Sequence, residues 1–328
     1  MAQSLKARRK IRDLLKYGAR FLPNPVYWRL SPYVVGTAAG RVTQKTARYY
    51  FGIWLKHYYC LVRYGFNPDI VSVAEIGPGD SLGLGICCLL AGASSYFAFD
   101  LAEYTNPSKN LRIFNDLVKL FQENAHVDLD LDWAESTYPV RVRPSDVIST
   151  GKLKDLLRAD RLTEIQRSIE SAEKFGRIQI SYIAPWNDIS RLPPGSIDLI
   201  LSNAVLEHLD DLEFAYDAFR VWLPAGGWMS HEIDFRCHGT ANRWNGHWTY
   251  TTDQWKQIRR NRAYLLNREP YSKHQSLIKN HGFEIVHQIL YRDYSGVSRT
   301  RLAEEFKQMS DLDLTTSLVL VQAKKIHG

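Results

Sequence analysis

The sequence predicts an α/β fold, and three stretches carry that expectation. Val71-Ser72-Val73-Ala74-Glu75-Ile76 is a β-branched, strand-length run that turns through Gly77-Pro78-Gly79-Asp80-Ser81-Leu82-Gly83 into an apolar helix start at residues 84–90. Residues 95–100 form a second apolar run that also ends on an acid, Asp100. Residues 197–201 are apolar enough to be buried on both faces, as parallel strands are. Strands followed by tight loops and helices are the units from which such sheets are wound.

At 328 residues and 45% apolar, the chain can bury one large α/β core with extra elements. Its four cysteines, Cys60, Cys87, Cys88 and Cys237, include an adjacent pair and no C-x-x-C, which fits a reducing cytoplasm and neither a disulfide framework nor a zinc ribbon. No charge-free run reaches the roughly 18–20 apolar residues of a membrane helix, and the basic start leads into no signal-peptide core. The formal charge of +7 is uneven. Residues 1–48 hold eleven basic residues against Asp13 alone, a net of +10, leaving −3 for the rest.

Taken in order, residues 5–22 predict a basic amphipathic helix, within an extension of residues 1–40 that precedes the main domain of 41–328. An in-plane anchor on an anionic membrane surface, peripheral on its cytoplasmic face, is one reading of residues 1–22. A helix packed on its own domain with a solvated basic face is the other. Asn24-Pro25 and Ser31-Pro32 punctuate a linker. Residues 43–64, rich in aromatic rings and closed by Gly65, predict a helix covering the first strand.

Between Asp100 and Ile178 lies an insertion, residues 101–177, with helical stretches at 111–123 and 152–174 and a strand-like alternation at 128–132. The alternating aspartates read as a solvated face, and no metal is expected. Residues 178–183 predict the third strand of the sheet, 197–201 the fourth, and Ser202-Asn203 a cap for a helix at 204–209. A fifth strand follows Leu223-Pro224-Ala225-Gly226-Gly227, residues 271–280 form a short helix, and two more strands lie at 283–291 and 318–323.

Gly77 and Gly79 leave no side chain between the loop backbone and a ligand, and Ser81 can cap the helix behind them. Free N–H groups at such a turn attract a polar ligand. The dinucleotide fingerprint places its glycines differently, as G-x-G-x-x-G. Glu75-x-Gly77-x-Gly79, followed by Asp100 at the end of the second strand, resembles motifs I and II of class I S-adenosylmethionine-dependent methyltransferases. The run S-I-D-L-I-L-S-N-A-V-L-E-H-L, residues 196–209, is similar to a segment of the same family. The resemblance implies a doubly wound, seven-stranded, mostly parallel, Rossmann-like sheet of order 3-2-1-4-5-7-6. It also implies S-adenosyl-L-methionine as cofactor, contacted by Glu75, Gly77, Gly79, Asp80, Asp100, Asp188, Ser202 and Asn203.

Between residues 231 and 255 fall three of the ten histidines and three of the nine tryptophans, just past the carboxyl end of a strand, where open α/β sheets bind ligands. Transfer to a hydroxyl needs a base, and histidine titrates near neutrality, so His238, His231 and His247 are candidates. Asp234 or Glu232 can set the tautomer. H-E-I-D-F-R-C-H, residues 231–238, resembles an H-x-I-D-x-R-D-H signature of methyltransferases from surface-polysaccharide and glycan clusters, with Cys237 in place of an acid. Trp244, Trp248 and Tyr250 offer faces for stacking on an acceptor or, alternatively, for packing under a loop. The expected function is O-methylation of a sugar hydroxyl in a surface or lipid-linked glycan. O-methylation of a small phenolic metabolite and a non-catalytic scaffold are the alternatives. No N-P-P-Y tetrapeptide is present, and a nucleic-acid partner is not expected.

Overall fold

A computed structural model describes residues 46–130, 139–171, 175–260, 262 and 265–326. The basic extension and Asp132 lie outside the described residues. Among the described residues no helix is long and apolar enough to cross a membrane.

Seven strands make one sheet: β1 (Ser72–Ile76), β2 (Ser95–Phe99), β5 (Gln179–Ile183), β6 (Leu199–Asn203), β7 (Trp228–Asp234), β8 (Phe283–Arg292) and β9 (Thr316–Lys325). Their order is β5-β2-β1-β6-β7-β9-β8, which is the expected 3-2-1-4-5-7-6 once the strands of this sheet alone are counted. The first five run parallel, and β9 enters antiparallel to both β7 and β8. Asp198 locks the register at one end, its Oδ2 accepting from the amides of Val71 and Ser72, each at 2.9 Å.

Helices cover both faces. On one side lie α1 (Ala47–Arg63), α2 (Gly83–Leu90), α3 (Pro107–Gln122) and α5 (Ala159–Ser171), whose apolar faces join one core cluster. On the other lie α6 (Leu212–Trp222) and α7 (Tyr271–Asn280), which bury a second cluster against the same strands. The expected aromatic helix is α1, and most of its rings are core: Trp54 is fully buried and packs on Phe121 at 4.8 Å. Truncation of such a ring costs about 3–5 kcal/mol. Polar groups also tie α1 to the sheet. His57 Nδ1 lies 2.7 Å from Ser230 Oγ, and Gln322 Nε2 donates to that hydroxyl and to the His57 carbonyl, both at 3.0 Å.

Several local expectations are corrected. The stretch 152–174 is two helices, α4 (Thr150–Leu156) and α5, rather than one. Of the acidic alternation at 128–132, residues 131 and 132 lie outside the described residues, while 128 and 129 belong to β3 (Val127–Leu129), paired with β4 (Val140–Val142), and Asp128 is held by Arg141 Nε at 3.0 Å. Ser81 is not the cap of α2. Its hydroxyl accepts from Gly83 N at 3.2 Å, and Asn110 of α3 takes the Leu82 amide at 3.0 Å. Residues 204–209 do not form an α-helix: Ala204 sits at φ +54° and only a 3₁₀ turn, Leu206–His208, follows.

Candidate functional site

Burial of β1 on both faces brings Glu75, 5% exposed, to the sheet's carboxyl edge, where Tyr96 of β2 donates its hydroxyl to Oε2 at 2.5 Å. The chain then turns at Gly77 (φ +69°) and Gly79 (φ +70°). A Cβ at Gly77 would lie 2.6 Å from Val205, so the glycine permits both the turn and the close approach of the segment after β6. Asp100, at the end of β2, folds back on this loop. Its Oδ2 accepts from Gly79 N at 3.0 Å and its Oδ1 from Leu101 N at 2.7 Å. Burial pushes this carboxyl up to about 6, although both amide bonds favour the ionised form. Asp80 pairs with Lys109 at 2.7 Å through Oδ2, while its Oδ1 is buried without a hydrogen bond.

These features fit a ligand carrying a diol and a positive charge. Asp100 offers acceptor oxygens at the loop, Asp80 retains an unsatisfied oxygen, and the glycines leave the backbone bare. Asn203 stands half-buried at the end of β6, beside Ala204. Ser202 is directed elsewhere, its hydroxyl 2.8 Å from His231 Nδ1 in the core. Asp188 is exposed and caps its own turn, accepting from Ser190 N at 2.9 Å and from its hydroxyl at 2.6 Å. The loop carrying it is tied to Asp100 through Trp186 N, which donates to the Asp100 carbonyl at 3.2 Å.

The three histidines separate sharply. His231 is fully buried and stacks on Phe219, and burial pushes it down to about 3. His247 is closed off as well, and burial with the nearby Arg268 charge brings it to about 3. Neither can meet an acceptor, which corrects both candidacies. His238 is half-exposed, sits at φ +48°, and places Nε2 3.2 Å from Asp234 Oδ2. Asp234 is also gripped by Arg236: Nε reaches Oδ1 at 2.8 Å, Nη2 reaches Oδ2 at 2.6 Å, and the Arg236 amide reaches Oδ1 at 2.9 Å. Burial opposes ionisation of Asp234, yet the His238 and Arg236 hydrogen bonds outweigh it and hold the carboxyl well below the usual range. Asp234 therefore does what an acid at position 237 would have done. Cys237 is instead buried in the turn, its amide donating to the Trp244 carbonyl at 2.6 Å.

Trp248 is fully buried and donates its indole N–H to the Arg268 carbonyl at 2.9 Å, so it packs the loop and cannot stack on an acceptor. Trp244 lies edge-on to it, and Tyr250 donates to the Thr240 carbonyl at 3.0 Å and stacks on Trp255. Glu232 faces α1 and forms an ion pair with Lys56. Both line a cleft of about 520 Å³ with Gly52, Asp128, Arg236 and Tyr291.

Sequence reasoning missed Glu207, His208 and Arg236 as members of this region. The signals were present: Glu207-His208 closes the quoted 196–209 segment, and Arg236 is two residues from Asp234. His208 lies across from His238 with ring centroids 5.1 Å apart. Glu207 is 2% exposed.

No family model and no curated protein matches the chain. Among solved structures it is similar to a Mesorhizobium loti S-adenosylmethionine-dependent methyltransferase, at 13% identity and TM-score 0.41, over 85% of this chain and 98% of that one. A Methanosarcina mazei structure described as SAM-dependent methyltransferases overlaps at 11% identity and TM-score 0.39, over 82% and 98%. Haemonchus contortus phosphoethanolamine N-methyltransferase 2, in complex with S-adenosyl-L-methionine, overlaps at 13% identity and TM-score 0.40, over 87% and 59%. At such identities and overlaps, the chain's own strand order and site geometry are the stronger description of it.

Proposed function

We propose that the chain is an S-adenosylmethionine-dependent methyltransferase acting on a sugar hydroxyl of a surface or lipid-linked glycan, with His238 as proton acceptor. The observation that carries this reading is the short segment from Asn203 to His208. Its Val205 closes on Gly77, and its His208 stands beside His238. The glycine loop and the base therefore share one wall.

Glu75, Gly77, Gly79, Asp80 and Asp100 are the residues that would hold the cofactor, with Asn203 at the strand end beside them. Bound there, S-adenosylmethionine supplies an electrophilic methyl group. The protein's own task is to align an acceptor oxygen and relieve it of a proton. Asp234, kept ionised by Arg236, accepts from Nε2–H of His238 and so leaves the lone pair on the other ring nitrogen. That nitrogen is the proton acceptor.

The acceptor is read from the cleft. Its volume of about 520 Å³ suits one or two sugar rings, and Lys56, Asp128, Glu232 and Arg236 supply the polar groups that hydroxyls pair with. With Trp248 sealed in the core, only the half-buried Trp244 and Tyr250 remain of the three expected stacking faces. Residues 1–22 would bring a lipid-linked acceptor within reach by lying on an anionic surface.

Calorimetric titration with S-adenosylmethionine tests the donor, and absence of binding to the wild-type chain would sink the reading. Transfer of labelled methyl to lipid-linked or capsular glycan tests the acceptor, and incorporation into phenolics alone would overturn it. Flotation with anionic liposomes, with and without residues 1–22, tests the membrane contact, which is refuted when both forms stay in the soluble fraction.

A further inference from the structure

We infer that Glu207, His208 and His238 form a binding site for a divalent transition-metal ion of the zinc type. One ligand atom from each of the three residues lies within 4.8 Å of the others. Contraction by up to about 1.5 Å would bring the atoms to the roughly 3.4 Å separation of ligands around one tetrahedral ion with bonds near 2.0–2.2 Å.

The independent observation is Glu207 itself. Its side chain is enclosed, and neither carboxylate oxygen makes a hydrogen bond. Oε1 comes no nearer than 3.9 Å to His208 Nε2. A buried carboxylate in this position needs a proton or a cation. Two imidazoles beside it favour the cation, since nitrogen ligands select zinc-like ions over magnesium or calcium.

The backbone around the site is fixed before any ion arrives. Asn267 Nδ2 donates to the Leu206 and Leu209 carbonyls at 2.8 and 2.9 Å, and its amide donates to the Glu207 carbonyl at 2.8 Å. Behind His238 stands Asp234, in the place of an outer carboxylate that orients a metal-bound imidazole. Three protein ligands leave a position open. An ion and a proton would compete for the same His238 lone pair, so a loaded site and His238 as base exclude one another.

The inference concerns ion binding and meets the methyl-transfer reading only at His238, which can serve as base when the site holds no ion. Its test is equilibrium dialysis of the full-length, chelator-treated chain against Co²⁺, followed by visible absorption. One ion per chain is expected, with ligand-field bands of a low-coordinate site. His208→Ala and Glu207→Gln should each weaken uptake at least tenfold, and Asp234→Asn by about tenfold, as removal of an outer partner does. His281→Asn should leave uptake unchanged, although His281 also lies beside two carboxylates, Glu213 at 3.7 Å and Asp217 at 3.6 Å. Circular dichroism confirms that each variant is folded, and His208, being half-exposed, is the variant expected to fold in any case. Absence of stoichiometric uptake by the wild type, or equal uptake by folded His208→Ala, would overturn the site. Cofactor titration is read separately, so either idea can fail alone.

Discussion

His238 Nε2 lies 3.2 Å from Asp234 Oδ2, across the four residues that carry the chain out of β7 and round a left-handed turn at His238. Under the proposed methyl-transfer reading, this contact singles out His238 among the three histidines as proton acceptor, through the ring nitrogen that Asp234 does not engage. Asp234→Asn keeps the shape but offers an amide that can hold the wrong tautomer. Turnover is expected to fall by about 10²–10⁴, with S-adenosylmethionine affinity unchanged, in a radiolabel transfer assay beside calorimetry. Unchanged turnover would remove the pair from the mechanism.

Under the proposed reading, Asp100 couples S-adenosylmethionine binding to pH. Its carboxyl rises from 3.8 to about 6 on folding. The folded chain therefore binds the proton more tightly, stability falls as pH rises from about 4 to 6, and the penalty is complete above that window. The shift corresponds to an upper bound of about 3 kcal/mol. Asp100→Asn removes the buried charge and keeps an oxygen for the Gly79 amide. It should raise stability by about 1–2 kcal/mol at pH 8, show no gain at pH 4, and abolish cofactor binding. Urea midpoints at the two pH values with calorimetry check this. Wild-type affinity should weaken about tenfold per unit as pH falls below 6, as the carboxylate protonates.

Gly77 carries two constraints that can be separated. Alanine there must adopt φ +69° and place its Cβ 2.6 Å from Val205. Strain of about 1–2 kcal/mol from the backbone adds to about 1–3 kcal/mol of overpacking. Gly77→Ala should lose both and bind S-adenosylmethionine at least tenfold more weakly. Adding Val205→Ala should recover the steric part alone, about half the loss in urea denaturation. Full recovery would show that the left-handed turn is not required.

The strand ladder was legible because buried parallel strands are apolar on both faces and their loops carry glycine and acid at fixed places: residues 71–76, 95–100 and 197–201 each lie within two residues of a strand of the sheet. The glycine loop and Asp100 were legible for the same reason. What stayed hidden depends on direction rather than composition. His231, His238 and His247 look equivalent in sequence, but alternation along β7 turns His231 toward Phe219 in the core, while the turn after it carries His238 to the edge. Trp248 and Glu207 were likewise hidden, since burial of an indole or a carboxylate in a loop follows from the long-range fold. The helix expected at 204–209 failed because Ala204 is drawn to the Glu232 carbonyl, its amide donating at 2.9 Å, which breaks the local propensity.

Packing behind the site is testable through Gly85 and Tyr96. A Cβ on Gly85 of α2 would lie 2.0 Å from the Tyr96 ring, which is fully buried between the helix and β2. The same side chain donates a hydroxyl hydrogen bond to the Glu75 carboxylate at 2.5 Å. Gly85→Ala must displace either the helix or the ring, at a cost of about 1–3 kcal/mol. Tyr96→Phe leaves the packing intact and strips a buried carboxylate of a donor, costing a similar 1–3 kcal/mol. The two differ in what they do to the loop. Gly85→Ala should lower the urea midpoint and weaken S-adenosylmethionine binding together, because the ring carries Glu75 with it. Tyr96→Phe should lower the urea midpoint while the ring keeps its seat, and so leave S-adenosylmethionine binding closer to wild type. A Gly85→Ala chain of wild-type stability would mean that α2 stands clear of β2, and the tight seat of the glycine loop on the first strand would be wrong.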